Sequence, residues 1–501
     1  MLPEIGRPQS GVPTYADLFA GCGGLSLGLE WAGFQRAAAI EISPDAALTY
    51  YHNLVCREEL APCQWSTFLD SDKLQLSSGV IVGDIVDKLD TFLASCNLRS
   101  PCIDLIAGGP PCQGFSVAGR RDPDDPRNRL GDFIVEAARL LHPKAVLIEN
   151  VPAVNMPFGG SESKTSALAL LVKKPEAHQY VTSVFHLKSS TVGVPQKRMR
   201  LFLLGVQESV FEMIPAHYRL SWQVEDGLSG LIRADGHAPT AGEALADIGN
   251  EGYRLRFPSE YSELAYARSL RFSRKFAVPA ALSQGKRNGY GKLYNHELRN
   301  HKPDTIARFE CYLYLKRLGI HERLLHKASI QDKGQVASQI HSQLSQNGLC
   351  PDEVDRITQE LVDDVLRFKT KKHTQIALDA NSPARTVTTL PDDLIHYAEP
   401  RVLSVRKLAR LQSFPDSFIF KGKSTTGGAK RRVEAPQYSQ VGNAVPPLMA
   451  RAVGRLVRSL LECTAESSNP DKAEQKSWSG RVPAACYKRT KWSGIISPVC
   501  S

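Results

Sequence analysis

The chain has 501 residues, of which 42% are hydrophobic and 23% are charged. These values are typical of a globular protein that builds its core without disulfides or metals, and the length suggests two or more domains. No uninterrupted apolar run reaches the roughly 18 residues of a membrane span, so we expect none. The net charge of +10 fits a polyanionic partner such as nucleic acid, and it fits simple solubility equally well.

The eleven cysteines include no C-x-x-C pair. The sequence therefore predicts neither a zinc site nor a disulfide framework, and we expect no metal. No signal peptide is recognisable, and this cysteine usage favours a reducing compartment, the cytoplasm.

The first strand, turn and helix have the pattern of a nucleotide-binding unit. Residues 15–24 read as a strand that enters a glycine-rich turn, and residues 25–33 read as a helix. A second strand over 37–42 carries Glu41 near its end, where a carboxylate can accept hydrogen bonds from ribose hydroxyls. Because Ser26 stands where a dinucleotide fingerprint has its third glycine, the turn favours a phosphate-free adenosyl cofactor such as S-adenosylmethionine.

The next two strands also end in residues that can carry chemistry. Residues 80–85 predict a strand whose Asp84 could bind an adenine amino group or simply face solvent, and residues 54–79 before it predict a peripheral insertion. The strand over 103–107 runs into a turn of two glycines and two prolines, which holds Cys112 at the sheet edge where ligands bind. A rigid turn there can present a nucleophilic thiol, and a buried structural cysteine is the alternative.

Charged residues lie at the ends of two later strands. The strand over 145–151 carries Glu149 at its carboxyl end, where a buried carboxylic acid could donate a proton and an exposed one would be solvated. The segment 192–204 places Arg198 and Arg200 at the head of a strand, and their spacing of two predicts that they share one face.

The regular alternation of strands and helices ends near residue 206. Residues 207–395 contain basic runs with interleaved aromatic residues, which are typical of a nucleic-acid surface and also of a solvated one. Within them, residues 305–366 have the leucine and isoleucine spacing of helices. Regular helices return after residue 396, and the tail from 465 is polar.

Together, these motifs resemble those of the C5-cytosine DNA methyltransferase family. The matching segments follow the family order, and they are Asp17 to Gly24, Gly109 to Ser116, Glu149 to Val151, Gln196 to Arg200, Arg401 to Asp416 and Gln440 to Pro447. They lie within 15–205 and 396–462, and the stretch between them falls where the family has its variable target-recognition region. One departure is Lys407, where the family usually carries Glu, at a position expected to be structural.

The resemblance implies an α/β fold, with a Rossmann-like S-adenosylmethionine-dependent methyltransferase domain and a smaller, variable target-recognition domain. The implied division assigns residues 1–206 to the catalytic domain and 207–395 to target recognition. It returns residues 396–464 to the catalytic domain and leaves 465–501 as a flexible tail.

The resemblance also implies a role for individual residues. Cys112 would be the nucleophile that adds to C6 of a flipped-out cytosine, Glu149 the acid at N3, and Arg198 a contact to O2 and to Glu149. The methyl group would pass from S-adenosyl-L-methionine to C5 within a short, specific sequence of double-stranded DNA. The residues expected to line the cofactor site are Phe19, Gly21, Gly23, Glu41, Asp84, Ile85, Asn443 and Val445.

Three other functions stay open at this point: the same chemistry on RNA, a catalytically silent DNA-binding protein, and a thiol hydrolase. The hydrolase would need a histidine to activate Cys112, and no motif supplies one. We expect a monomeric, prokaryote-type enzyme that lies on the nucleoid through DNA, either with a cognate restriction endonuclease or as an orphan. The target sequence and the base that removes the C5 proton cannot be read from the chain.

Overall fold

The structure is a computed structural model that describes residues 8–100, 102–111, 129–155, 167–232, 238–246, 248, 293–327, 332–348, 350–372, 374–426 and 434–467. Its strands are β1 Thr14–Leu18, β2 Gln35–Glu41, β3 Val80–Val82, β4 Leu105–Gly108, β5 Ala145–Asn150, β6 Tyr180–Lys188, β7 Met199–Gln207, β8 Ile376–Ala377 and β9 Leu394–Ile395. The C-terminal tail that we expected after 465 lies outside the described residues from 468 onward.

The helices alternate with the strands in the first two hundred residues and then dominate. They are α1 Gly24–Trp31, α2 Pro44–Leu54, α3 Pro62–Leu69, α4 Asp72–Ser78, α5 Ile85–Arg99, α6 Leu130–Leu141, α7 Ala167–Glu176, α8 Glu208–Met213, α9 Ala216–Trp222, α10 Ala241–Leu245, α11 Pro303–Arg317, α12 Leu324–Lys327, α13 Lys333–Ser345, α14 Pro351–Arg367, α15 Val405–Leu411, α16 Gln437–Asn443 and α17 Pro447–Ser467. No helix in the described ranges combines the length and the apolar character that a membrane span requires.

A seven-stranded sheet in the order β3-β2-β1-β4-β5-β7-β6 forms the centre of the fold. Strands β1 to β5 are parallel, and β7 runs antiparallel to both β5 and β6. This arrangement confirms the predicted Rossmann-like α/β class. Because β1, β2, β4 and β5 are parallel, the residues that follow each of them meet at the same edge of the sheet.

The central strands are mainly apolar, because both faces of the sheet are covered. In β4, Leu105 and Ala107 belong to one core with helices α1 and α17, whereas Ile106 belongs to a second core with α5 and α6. The first core extends to α8, α9 and α10, so residues just after 206 pack with the sheet. The predicted division into domains stays a prediction.

Helices α11, α13 and α14 form a separate apolar core together with β8 and β9. Phe309, Leu315, Ile340 and Leu361 are at most 1% exposed in this core. The leucine and isoleucine spacing over 305–366 therefore predicted helices correctly. The insertion expected at 54–79 contains α3 and α4, and Trp65 and Phe68 of α3 stack with ring centroids 4.9 Å apart.

One detail differs from the sequence prediction: the sequence reasoning missed β6, which pairs with β7 along its whole length. The strand expected within 192–204 is β7. It begins at Met199, after a 3-10 turn over Ser189–Val192 and an irregular stretch, so Arg200 lies within the strand and Arg198 lies just before it.

Candidate active site

The glycine turn after β1 depends on left-handed backbone conformations. Phe19, Gly21 and Gly23 have φ angles of 62°, 56° and 95°. The turn is fastened to the end of β2, because the N–H of Gly21 donates to Oε2 of Glu41 at 2.8 Å. Oε1 of Glu41 accepts from the N–H of Ser43 at 2.9 Å, and burial raises the pKa of the Glu41 carboxyl group. The two predicted nucleotide-binding features, the turn and Glu41, are therefore in direct contact.

A buried polar network of Asp17, Ser26 and Tyr50 connects β1, α1 and α2 next to this turn. The hydroxyl of Ser26 donates to Oδ2 of Asp17 at 2.6 Å and lies 2.8 Å from the hydroxyl of Tyr50. Asp17 is 0% exposed, and burial raises the pKa of its carboxyl group to about 7. The network gives Ser26 a structural reason to replace the third glycine of a dinucleotide fingerprint.

The turn that follows α16 packs against the start of α1, next to the glycine turn. A Cβ added at Gly24 would lie 2.3 Å from the carbonyl oxygen of Val445, so only a glycine allows the two backbones to approach this closely. Val445 is 7% exposed, whereas Asn443 is exposed. The fold thus brings the C-terminal motif to the glycine turn, as expected if both line one cofactor site.

The remaining residues that we expect in the cofactor site lie at the ends of β2 and β3. Asp84 is exposed and caps α5 by accepting from the N–H of Val86 at 3.1 Å, and Ile85 is 4% exposed. The sequence reasoning missed Ile42, which follows Glu41 and is 62% exposed. Its signal was an apolar residue directly after the acidic strand end. An exposed apolar side chain beside polar groups fits the face of an adenine ring.

A second group of residues meets at the ends of β4, β5 and β7. Nε of Arg200 lies 2.7 Å from Oε1 of Glu149, and both side chains are 11% exposed. A Cβ added at Gly109 would lie 3.1 Å from Oε2 of Glu149. The chain that leaves β4 therefore passes directly beside the Glu149–Arg200 ion pair. Cys112 follows Gly109 by three positions and lies outside the described residues.

The ion pair corrects our expectation for Arg198. The guanidinium paired with Glu149 is that of Arg200, and the two terminal nitrogens of Arg198 donate to the carbonyl oxygens of Val387 and Gly442 at 2.9 and 3.0 Å. The two arginines have different partners, and Arg198 precedes the first residue of β7. Alternation of side chains holds only within a regular strand.

Part of the predicted basic surface is neutralised within the chain. Nη1 of Arg299 lies 2.5 Å from Oδ1 of Asp392, and Nζ of Lys372 lies 3.0 Å from Oδ2 of the same residue. These cations belong to two of the basic runs between 207 and 395, and the run over 271–275 lies outside the described residues. The described residues also contain no cluster of potential metal ligands.

The parallel sheet, the glycine turn and the polar groups at one edge define a Rossmann-like methyltransferase domain. The family model for the C-5 cytosine-specific DNA methylase matches residues 14–458, so the chain belongs to this family. It is a DNA (cytosine-5-)-methyltransferase, an enzyme that transfers a methyl group to cytosine in DNA. Family membership thus favours methylation of DNA over the three other functions that the sequence left open.

Two curated relatives are named as methyltransferases, and a solved structure has a similar fold. The type II methyltransferase M.DdeI of Desulfomicrobium norvegicum is 28% identical over 88% of this chain and 87% of its own. The type II methyltransferase M1.HphI of Haemophilus parahaemolyticus is 28% identical over 89% of this chain and 86% of its own. A prophage-encoded DNA modification methyltransferase of E. coli shares the fold, with a TM-score of 0.51 at 21% identity over 90% of this chain and 99% of its own.

Proposed function

We propose that this enzyme methylates C5 of a flipped-out cytosine in a short DNA sequence, through a covalent bond between Cys112 and C6. The observation that carries the proposal is the Glu149–Arg200 ion pair, with its 2.7 Å separation, beside Gly109. Cys112 follows Gly109 closely in the sequence, so a thiol and a carboxyl group can act on one pyrimidine ring.

The methyl donor in this proposal is S-adenosyl-L-methionine, which supplies an electrophilic methyl group. Glu41 would bind the ribose hydroxyls, while Ile42 and Ile85 would contact the adenine ring and Asp84 its amino group. The glycine turn with Phe19, Gly21 and Gly23 and the turn of Asn443 and Val445 would complete the site. The exposed Asp84, Ile42 and Asn443 support this assignment, because they leave polar and apolar groups facing one edge of the sheet.

The chemistry requires a nucleophile and an acid on the same base. C5 of cytosine is a weak nucleophile, so the Cys112 thiolate adds to C6 and pushes electrons toward C5, which then takes the methyl group. Glu149, once protonated, donates a hydrogen bond or a proton at N3, which stabilises the charge that develops there. Arg200 fixes the Glu149 carboxyl group and offers a donor to O2. Loss of the C5 proton and departure of Cys112 restore the aromatic ring.

C6 of a stacked cytosine cannot be reached by a protein thiol, so the base must leave the double helix, at a cost of a few kcal/mol. Phosphate contacts from the region 207–395, which we assign to target recognition, would offset that cost. Because the relatives M.DdeI and M1.HphI are named type II methyltransferases, we infer a role in restriction and modification beside a cognate endonuclease. We expect a monomer.

Covalent trapping tests this mechanism directly. A plasmid fragment with 5-fluorocytosine in place of cytosine is incubated with the enzyme and S-adenosylmethionine, and complexes are separated in a denaturing gel. Fluorine at C5 cannot leave as a cation, so the adduct persists once the methyl group has transferred. We expect a denaturant-stable complex that requires the cofactor and is absent in Cys112→Ser. A stable complex with Cys112→Ser, or none with the wild type, would refute the mechanism.

A further inference from the structure

Arg198 is a buried guanidinium that joins three separate segments of the chain. Its side chain is 3% exposed, and its backbone N–H donates to the hydroxyl oxygen of Ser189 at 2.9 Å. Its two terminal nitrogens donate to the carbonyl oxygens of Val387 and Gly442 at 2.9 and 3.0 Å. A planar guanidinium that donates to two carbonyls fixes both the distance and the angle between the segments that carry them.

The segments joined by Arg198 belong to different parts of the active site. Gly442 directly precedes Asn443 and Val445, which form the turn that lies against the glycine turn of the cofactor site. On the other side, Arg200 follows Arg198 by two residues and pairs with Glu149. Arg198 therefore lies between the residues assigned to the cofactor and those assigned to the cytosine.

The junction around Arg198 is tightly packed. A Cβ added at Gly442 would lie 2.3 Å from the carbonyl oxygen of Thr388, so these backbones touch. The side chain of Gln196, which is 0% exposed, accepts from the N–H of Val387 at 2.7 Å and donates to Oε1 of Gln412 at 2.6 Å. Because little space is left, a shift of one segment would be passed to the others.

We propose that Arg198 is a positioning residue that couples the cofactor turn to the Glu149–Arg200 pair. It thereby fixes the distance and orientation between the methyl donor and the cytosine. The proposal rests on the proposed function, because it assumes that the turn of Asn443 and Val445 binds the cofactor and that Glu149 and Arg200 bind the base. In this role Arg198 touches neither ligand and acts through the backbone of Gly442 and through Arg200.

The first test measures binding without turnover. S-adenosylhomocysteine, which cannot react, is titrated calorimetrically into the wild type, Arg198→Met, Arg198→Lys and Arg99→Met. Arg99 is the matched control, since it is a buried guanidinium that donates to the carbonyl oxygen of Ser77 at 2.8 Å, away from this junction. We expect Kd to rise about tenfold or more in Arg198→Met, from two lost charge-assisted hydrogen bonds. Arg198→Lys should restore part of the affinity, and Arg99→Met should bind as the wild type does.

The second test measures the reaction at the cytosine part of the site. At saturating S-adenosylmethionine, the rate of trapping on the 5-fluorocytosine fragment should fall in Arg198→Met, because Arg200 and Glu149 are no longer held in the correct position. Gly442→Ala disturbs the same junction from the opposite side and should show both defects. It keeps the proposal testable if Arg198→Met does not fold.

The outcomes separate this inference from the function on which it rests. A wild type that neither binds S-adenosylhomocysteine nor forms the adduct would refute the proposed function. If the wild type does both, and Arg198→Met or Gly442→Ala binds and traps as well as Arg99→Met does, Arg198 is only a structural residue and the coupling is refuted.

Discussion

The Glu149–Arg200 ion pair allows a quantitative test of how the active site is built. At 2.7 Å and an effective dielectric constant of about 20, the Coulomb attraction is about 6 kcal/mol. Both side chains are 11% exposed, so each ion loses much of its hydration, which costs several kcal/mol. The two terms nearly cancel, and the pair adds little net stability. Removal of one partner leaves the other buried and uncompensated, which costs about 3–5 kcal/mol.

A double-mutant cycle measures this asymmetry. We expect Arg200→Met to lower the unfolding free energy by about 3–5 kcal/mol, and the double variant Glu149→Gln/Arg200→Met to be more stable than Arg200→Met alone by about 2 kcal/mol or more. Urea unfolding followed by tryptophan fluorescence, without cofactor or DNA, gives the midpoints at constant slope. If the two substitutions are additive, the charges are not coupled in the folded protein, and the assignment of Arg200 as the partner of Glu149 fails.

Three further predictions concern the cofactor site and its packing. Burial raises the pKa of Asp17 to about 7, so the folded state holds the proton more tightly than the unfolded state does. Stability should therefore fall by about 2.5 kcal/mol between pH 5 and pH 8 from this group, and Asp17→Asn should remove that part of the fall in urea midpoints. Glu41→Gln should weaken binding of S-adenosylhomocysteine roughly tenfold to a hundredfold in a calorimetric titration, because it replaces one acceptor oxygen with an amide donor. Gly28→Ala should lower stability by about 2 kcal/mol, since its Cβ would lie 2.3 Å from the Cβ of Ala450, whereas Gly230→Ala, with nothing within 4 Å, should be neutral.

Each of these three predictions would be contradicted by one specific result. An unchanged pH dependence in Asp17→Asn would mean that its carboxyl group is not buried in the protonated form below pH 7. Wild-type affinity in Glu41→Gln would remove Glu41 from the cofactor site. Equal stability of Gly28→Ala and Gly230→Ala would mean that α1 and α17 are not in close contact.

The sequence predicts the elements in which local and long-range signals agree. The strands β1, β3, β4 and β5 are short, mainly apolar segments, and each is found close to its expected position. The helices expected after residue 396 are also found: α15 is capped by Ser404, which accepts from the N–H of Lys407 at 3.2 Å, and α17 packs an apolar stripe into the core. Both elements have periodic patterns that local physical chemistry fixes.

The features that sequence reasoning missed depend on contacts between distant segments. Strand β6 has an imperfect alternation, and it is held by its pairing with β7. Arg198 and Arg200 have different partners, and they lie on either side of the first residue of β7, just after the bridge between Gln196 and Ala384. No local pattern around residue 198 contains that information.

The departure from the family pattern at Lys407 is explained by its contact with Glu399. Lys407 is 1% exposed, and its Nζ lies 3.6 Å from Oε1 of Glu399. Burial lowers the pKa of the Lys407 ammonium group, and the nearby Glu399 opposes that shift. The family usually has an acid at position 407, where this chain has a lysine. In this chain, Glu399 provides a carboxylate next to that position. This contact agrees with a structural role for the position, as the sequence reasoning expected.

We propose that this chain methylates cytosine at C5 within a defined DNA sequence and needs Cys112 to do so. Bisulfite sequencing of plasmid DNA from cells that express the chain, beside cells that express Cys112→Ala, measures both the methylated positions and their dependence on Cys112. We predict protected cytosines within one short motif in the first sample and none in the second. Plasmid without protected cytosines in either sample, or protection that persists in Cys112→Ala, would contradict the account.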